Sequence, residues 1–383
     1  MESSRRNHCE LHACLRLTMR ICRWAGVFPV DGLDKPTITG LRYIYIIFLW
    51  NLLSNIIVSC SIFLWNLLSN IIVSYLTSLT SAIFLMQLAR NWPKLIQKAE
   101  KIENSVASIH SKSKQNKCNK IACLIMILAL LEHILSITFK INFLMEKSQE
   151  FSLATVGKYY MANTLVSKYT SYSVWKAILY EMAIIQSTFL WNFTDAMTVC
   201  FSLYLTSYFN DLNKIIERQA KNKETINWQE IRIYYSCLVE LVHEVDHKIC
   251  CLILLSFFTN LFFICVQLFN VMKPLENTEY LLYYSYSFLF LFIRTIVTSL
   301  LAANINTVAR RPIFILQYLP NSEYSIDVQR FIRQIRYTPT ALSGFFFYIT
   351  RGMILTVIGT VVKYELVLLQ WSLRNFEITK ELM

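Results

Sequence analysis

The sequence has few charged residues and little glycine. Charged residues make up 16% of its 383 residues, whereas soluble globular proteins usually contain about 25%. It has only 7 glycines, and it contains neither a glycine-rich phosphate-binding loop nor the G-x-S-x-G elbow of serine hydrolases. These absences argue against a soluble nucleotide-binding protein and against a hydrolase of that class.

The cysteines show no paired spacing, and the N-terminus has no cleavable signal peptide. The 11 cysteines lie mostly as single residues in or beside apolar runs, so we predict no disulfide framework. The first twenty residues, MESSRRNHCELHACLRLTMR, are charged and lack an apolar core. The first spanning helix must therefore direct membrane insertion itself.

Apolar residues are abundant and form long runs. They make up 55% of the chain, the mean hydropathy is +0.41, and several runs reach the roughly 20 residues that cross a bilayer as a helix. The sequence therefore predicts an all-α polytopic membrane protein with seven transmembrane helices. The expected spans are approximately 43–62, 67–89, 121–144, 177–207, 249–271, 280–305 and 345–370.

The basic residues predict the orientation of these spans. The net charge of +12 is concentrated in the N-terminal arm and in the loops after spans two, four and six, as expected for segments facing the cytoplasm and its anionic leaflet. A nucleic-acid partner is not needed to explain this charge. We expect a cytoplasmic arm at 1–42, a transmembrane domain at 43–371 and a short extracellular tail at 372–383.

The first two predicted spans contain an internal duplication. Residues 43–89 carry no charge and would form a helix of about 70 Å, far more than one crossing of about 30 Å. The string IFLWNLLSNIIVS occurs at 47–59 and again at 62–74, a period too short for a solenoid unit. A local duplication or a gene-model error explains it better, although removing one copy would leave too little apolar length for two spans.

The end of the last apolar run resembles a known receptor signature. The stretch VVKYELVLLQW resembles the Thr-Tyr, five apolar residues, Gln-Phe signature of insect gustatory receptors. Tyr364 and Gln370 match it, whereas Lys363 replaces threonine and Trp371 replaces phenylalanine. Stretches such as QLARNWPKLIQKAEKIE, FLWNFTDAMTVCFSLYLTSYFNDLN and QRFIRQIRYTPTALSGFFFYITRGM are similar to the sugar-receptor branch, and the resemblance covers most of 80–371.

This resemblance implies a function and an assembly. Members are seven-helix subunits with a cytoplasmic N-terminus, and four of them surround a central pore lined by the last helix. The implied activity is sugar-gated, nonselective cation conduction at the plasma membrane of taste neurons, without covalent chemistry or a cofactor. The implied partners are a sugar, the lipid bilayer and related subunits in a homo- or hetero-tetramer. A subunit that has lost its sugar response, or that works only in a hetero-tetramer, is the alternative.

The last span offers a candidate pore face. At about 100° per residue, Gln370 shares one helical face with Lys363, Leu366 and Val367. If this face lines the pore, its apolar and amide groups predict a constriction that closes by dewetting. A ring of Lys363 ammonium groups would oppose cation flow, unless Lys363 pairs with Glu365 or another neighbour or extends towards the inner interface. Otherwise this receptor does not conduct as its relatives do.

The fourth span offers candidate sugar-binding residues. Thr188, Trp191, Asn192 and Asp195 share one helical face, and their aromatic, amide and carboxylate groups suit a sugar. Hydrogen bonding between helices explains such residues equally well.

We also expect Glu132 and Arg294 to neutralise each other, because an unpaired charge in a membrane is costly. Further candidates are Glu132 and His133 in the third span, Gln267 with Ser256 and Asn260 in the fifth, and Tyr283, Tyr284, Ser287 and Arg294 in the sixth.

One motif points to a different class of protein. His243, Glu244 and His247 fit H-E-x-x-H, which on a helix places two imidazoles on one face for zinc, with the glutamate as general base. An intramembrane metalloprotease would need a third ligand, and no well-placed partner motif follows. We therefore predict neither a metal site nor enzymatic activity.

Overall fold

The computed structural model is built almost entirely of long helices. It describes residues 10–24, 70–106, 115–147, 174–222, 227–271, 278–320 and 324–381, and within these ranges it contains no strand. The predicted first span, the first repeat copy and most of the long loop before the fourth span lie outside the described residues. The helices are α1 (Glu10–Trp24), α2 (Asn70–Ser105), α3 (Gln115–Lys147), α4 (Val174–Asn222), α5 (Trp228–Val271), α6 (Thr278–Arg310), α7 (Pro312–Gln317), α8 (Ile326–Tyr337) and α9 (Arg351–Glu381).

Several helices are longer than one membrane crossing. α4 has 49 residues and α5 has 44, which correspond to about 74 and 66 Å, against a hydrocarbon core of about 30 Å. Both are therefore longer than a single crossing requires. Within the described ranges, three segments are long and apolar enough to cross a membrane, by length and composition: Cys118–Phe139, Trp228–Leu268 and Leu282–Gln317.

α4 forms the centre of the bundle, and α1 packs against its second half. α4 contacts α1, α2, α3, α5 and α6, and its side chains from Leu190 to Leu212 are largely buried. The N-terminus of α1 is fixed by Glu103 of α2. The Glu103 carboxylate accepts hydrogen bonds from the amides of Glu10 (2.8 Å) and Leu11 (3.0 Å) and from the hydroxyl of Tyr204 (2.6 Å). An anionic group at this position satisfies amides that the helix itself leaves unpaired.

The last helix begins later than the apolar run predicts. Residues 345–350 are not helical, because the chain makes a tight turn in which Gly344 donates to the carbonyl of Phe347 (2.8 Å) and Ile349 donates to Leu342 (2.9 Å). A Cβ at position 344 would lie 2.3 Å from the Phe347 ring, so any other residue there would displace this ring. α9 then continues to Glu381 and includes most of the segment expected as a tail. It packs mainly against α5 and α6.

Candidate functional site

A buried ion pair joins α4 to α6. The Nε of Arg294 lies 2.9 Å from Oδ2 of Asp195, and the two side chains are 3% and 0% exposed. A carboxylate and a guanidinium removed from water require close pairing and further hydrogen bonds. The direct partner of Arg294 is therefore Asp195 on α4, whereas Glu132, which was expected to neutralise Arg294, accepts a hydrogen bond from Ser287.

Amide and hydroxyl groups complete this network, which we call the Asp195 cluster (Trp191, Asn192, Asp195, Ser256, Asn260 and Arg294). The amide of Asn260 donates to both Asp195 oxygens at 3.3 and 3.2 Å, and Ser256 also donates to Asp195. Arg294 donates to the carbonyl oxygens of Asn192 and Asn260. Three helices thus share one continuous hydrogen-bond network.

Trp191 is held within the same cluster. Its indole N–H donates to Asn260 at 2.6 Å, the Arg294 guanidinium lies 4.5 Å from its ring centroid, and the Phe263 ring lies 4.9 Å away. A guanidinium over an indole face is a favourable cation–π contact. In this conformation, the tryptophan face that would stack on a sugar is therefore in contact with an arginine.

A second polar cluster lies two helical turns after the first on α5 and two turns before it on α6. Gln267 donates to the hydroxyl of Ser287 at 2.9 Å, and Ser287 donates to Glu132 at 2.8 Å. Gln267 follows Asn260 by seven residues, and Ser287 precedes Arg294 by seven. At 1.5 Å per residue, the two clusters are about 10 Å apart along the helices.

The remaining ligand candidates surround this second cluster. The ring of Tyr283 stacks on Phe139 with centroids 5.0 Å apart and lies 5.3 Å from the ring of Tyr284. His133 lies 3.6 Å from a carboxylate oxygen of Glu181 on α4. We call Glu132, His133, Gln267, Tyr283, Tyr284 and Ser287 the Gln267 cluster. The structure therefore brings the candidates together in two groups and not in one.

A small cavity lined by hydroxyl groups was not predicted. It has a volume of about 20 Å³ and lies between α2, α4 and α5, next to Trp191. The Ser78 hydroxyl is buried beside it and has no partner among the described residues. The signal was present in the sequence, because the α2 residues have the same i, i+3, i+4, i+7 spacing as the polar face of α4. These residues are Ser74, Thr77, Ser78 and Ser81, and they face Ser187, Ser256 and Thr259.

The candidate pore residues lie on an exposed side of α9. Leu366 and Val367 are 55% and 61% exposed, and Lys363 and Gln370 are exposed as well. Leu366 also borders an apolar cavity between α5, α6 and α9. The side chain of Tyr364 lies outside the described residues.

The H-E-x-x-H residues make contacts that connect helices. Glu244 pairs with Lys98 of α2. Asp246 accepts two hydrogen bonds from Ser343, one from its amide at 2.6 Å and one from its hydroxyl at 2.7 Å. This second contact ties α5 to the turn that precedes α9. The described ranges contain no group of three histidine, cysteine or acidic residues that could hold a metal.

These features define an all-helical fold with segments long and apolar enough to cross a membrane, and a solved insect receptor has a similar fold. The chain resembles the olfactory receptor OR5 of Machilis hrabei in complex with eugenol, with a TM-score of 0.71 over 95% of this chain and 99% of that one. The structure of OR5 described without eugenol gives a TM-score of 0.68. The sequence identities of 14% and 13% mean that this likeness establishes the fold alone.

The chain belongs to the trehalose receptor family, whose model matches residues 4–378. The Drosophila melanogaster gustatory receptor 5a for trehalose is 26% identical over 380 residues, which cover 94% of this chain and 85% of that receptor. The gustatory receptor for sugar taste 64f of the same fly is 30% identical over 300 residues, which cover 76% of this chain but 64% of the relative. The predicted sugar branch of the gustatory receptors is confirmed, and these relatives are receptors and not enzymes.

Proposed function

We propose that the chain is a subunit of a sugar-gated, nonselective cation channel in the plasma membrane of taste neurons. The match of residues 4–378 to the trehalose receptor family carries this proposal. One relative is named for trehalose, so trehalose is the first ligand to test. The proposed arrangement has seven spans, a cytoplasmic N-terminus, an extracellular C-terminus and four subunits around a pore.

The proposed sugar site lies between the Asp195 cluster and the Gln267 cluster. The hydroxyl-lined cavity borders the Asp195 cluster at Trp191 and measures about 20 Å³, whereas pockets for small molecules usually measure about 300–1,000 Å³, so a sugar needs the helices to separate. We propose that a sugar replaces hydrogen bonds between the helices and stacks on Trp191 as Arg294 moves off the indole. The bound state would then favour a different packing of α4, α5 and α6.

The contacts of α5 supply a route from this site to the pore helix. Ser256 donates to Asp195, and the adjacent Phe257 packs edge-on against Phe347, with ring centroids 5.8 Å apart. Phe347 belongs to the turn that precedes α9, and Asp246 binds Ser343 in the same turn. We propose that movement of α5 is transmitted through this turn to α9.

The proposed gate is formed by Leu366, Val367 and Gln370 of α9. Four copies of these residues around one axis would place apolar and amide groups at a constriction that closes by dewetting. Lys363 lies on the same face, so four copies of one subunit would place four ammonium groups near the pore. This position specifically favours the alternative that the subunit conducts in a hetero-tetramer, in which related subunits carry fewer charges there.

The test is expression of the chain alone and with related sugar-receptor subunits, followed by recording of cation currents against a panel that includes trehalose. Currents evoked by sugar from the chain alone support the homo-tetramer, whereas currents only on co-expression support the alternative. If no combination responds to any sugar while the protein is present at the cell surface, the proposed function is wrong.

The site is tested with Trp191→Ala and Gln267→Ala, one from each cluster. Both should abolish the sugar response while surface expression persists. Trp175→Ala is the matched control, because Trp175 lies on the same helix and is 60% exposed. A normal dose–response curve in both cluster variants would show that the sugar does not bind between the two clusters.

A further inference from the structure

An apolar groove lies between α5, α6 and α9. It has a volume of about 300 Å³ and includes Phe257, Ile264, Phe292, Ile358 and Val361 among its lining residues. Its two polar lining residues, Thr295 and Ser299, donate their hydroxyls to carbonyls of their own helix at 2.8 and 2.7 Å. No lining hydroxyl is therefore available as a donor to a sugar, and the groove suits a hydrocarbon.

A positive charge lies at one end of this groove. Arg351, the first residue of α9, is exposed, and no ion pair or hydrogen bond of its side chain occurs in the part of the chain that the structure describes. At about 100° per residue, Arg351 projects in nearly the same direction as Ile358 and Val362, which line the groove. Ile354 lies one turn further along the lining, about 4.5 Å along the axis.

The charge lies at the end of the bundle that carries the basic helix α8, which contacts the N-terminal half of α5 through Gln334 and Ser236. The turn before α9 contacts α5 at Asp246 and Phe257, whereas Leu268 and Leu366 line the other end of the groove. α5 and α9 therefore run in the same direction, and Arg351 lies on the side of the basic helix α8. The N-terminus of α9 adds a partial positive charge there.

The length of the groove fits one leaflet of a bilayer. From Ile354 to Leu366 the lining extends about 18 Å along α9, a little more than half of a hydrocarbon core of about 30 Å. One acyl chain that enters beside Arg351 would run along the groove towards the middle of the membrane. Long basic side chains at helix ends reach the headgroup region in this way.

We propose that the groove between α5, α6 and α9 binds a phospholipid with an anionic headgroup, one of its two acyl chains along Phe292, Ile358 and Val361 and its headgroup paired with Arg351. Such a lipid would fill the space between the helix that carries the candidate pore residues and the two helices that carry both polar clusters. This site is separate from the proposed sugar site and does not depend on it.

The test is native mass spectrometry of the purified full chain with added phosphatidylserine or phosphatidylcholine. The wild-type protein should retain one lipid per subunit and prefer phosphatidylserine. Arg351→Gln should reduce this preference by about fivefold, the factor expected for one basic residue at an anionic membrane surface. Arg330→Gln is the matched control, because Arg330 is an exposed basic residue on α8 outside the groove lining, and it should leave the preference unchanged.

Ile358→Trp tests the groove itself and should prevent retention of either lipid. Val362→Phe serves the same purpose if the first variant does not fold, and Thr360→Trp on the opposite, exposed side of α9 is the control. The proposal is wrong if no lipid is retained, if Arg330→Gln has the same effect as Arg351→Gln, or if groove-filling variants retain lipid normally. It is also wrong if cysteines placed at Ile358 cross-link neighbouring subunits, since a second copy would then occupy the groove.

Discussion

The Asp195 cluster and the candidate pore face of α9 use polar residues in opposite ways. The charges of Asp195 and Arg294 are 0% and 3% exposed and engage each other and their neighbours. On α9, Lys363 and Gln370 are exposed on the single subunit, beside apolar side chains that are more than half exposed. Polar groups in the first region satisfy one another within the subunit, whereas Lys363 and Gln370 in the second are exposed on the single subunit.

Substitutions in the Asp195 cluster should therefore destabilise the folded protein far more than substitutions on the pore face of α9. Arg294→Ala leaves Asp195 buried without its counter-charge, and breaking such a pair from one side usually costs about 3–5 kcal/mol. We expect loss of most folded protein, measured by surface labelling and by thermal melting in detergent. The double variant Asp195→Asn with Arg294→Gln should recover part of the loss, because it removes both charges. A wild-type melting temperature for Arg294→Ala would show that the cluster does not hold the bundle together.

The contact between Asp246 and Ser343 connects the two regions, so its loss should have an intermediate effect. Asp246→Ala removes two hydrogen bonds to a charged acceptor, which typically contribute about 1.5–3 kcal/mol each. We expect lower maximal sugar-evoked current with a smaller change in the sugar concentration for half-maximal response, because α9 loses its attachment and the sugar site stays intact.

A double-mutant cycle with Ser343→Ala separates this role from general destabilisation. The effects of the two substitutions on maximal current should be non-additive, because both remove the same contact. Glu240→Ala is the control, since Glu240 is an exposed acidic residue on the same helix. Additive effects would mean that Asp246 and Ser343 act independently of each other.

The sequence predicted the helical bundle but not how its polar residues pair. Apolar runs and basic loops predict the helices and their order, because each membrane span can be identified from the composition of its own segment. Pairing depends on the register between helices, so Arg294 could not be assigned to Asp195 rather than Glu132 from helical periodicity alone. The predicted start of α9 was wrong for a similar reason: 345–350 is as apolar as a span, and the turn there becomes visible only in its backbone hydrogen bonds, from Gly344 to Phe347 and from Ile349 to Leu342.

The stability that Glu103 contributes to the packing of α1 should depend on pH, and this effect should be smaller than the effects of the substitutions above. Burial raises the pKa of Glu103, while its hydrogen bonds from Tyr204 and from the amides of Glu10 and Leu11 oppose the shift. A carboxyl whose pKa is raised by folding stabilises the folded state most when it is protonated, so this contribution is lost as the pH rises through the raised pKa. The melting temperature should therefore contain a component that falls as the pH increases above the ordinary value of 4.5. Glu103→Gln should remove that component, and Glu100→Gln on the same helix should retain it.

Substitution of Lys363 should have the smallest effect on folding. Among substitutions on α9, it should have the largest effect on conduction. Exposed substitutions usually change stability by less than about 0.5 kcal/mol, so Lys363→Thr should leave the melting temperature unchanged. If the exposed face of α9 lines a pore, removing four ammonium groups from it should increase single-channel cation conductance. Lys120→Thr removes an exposed lysine from α3 and should change neither property. An unchanged conductance in Lys363→Thr would show that Lys363 does not face the pore. The proposed gate residues would then not face it either, since helical geometry fixes their directions relative to Lys363.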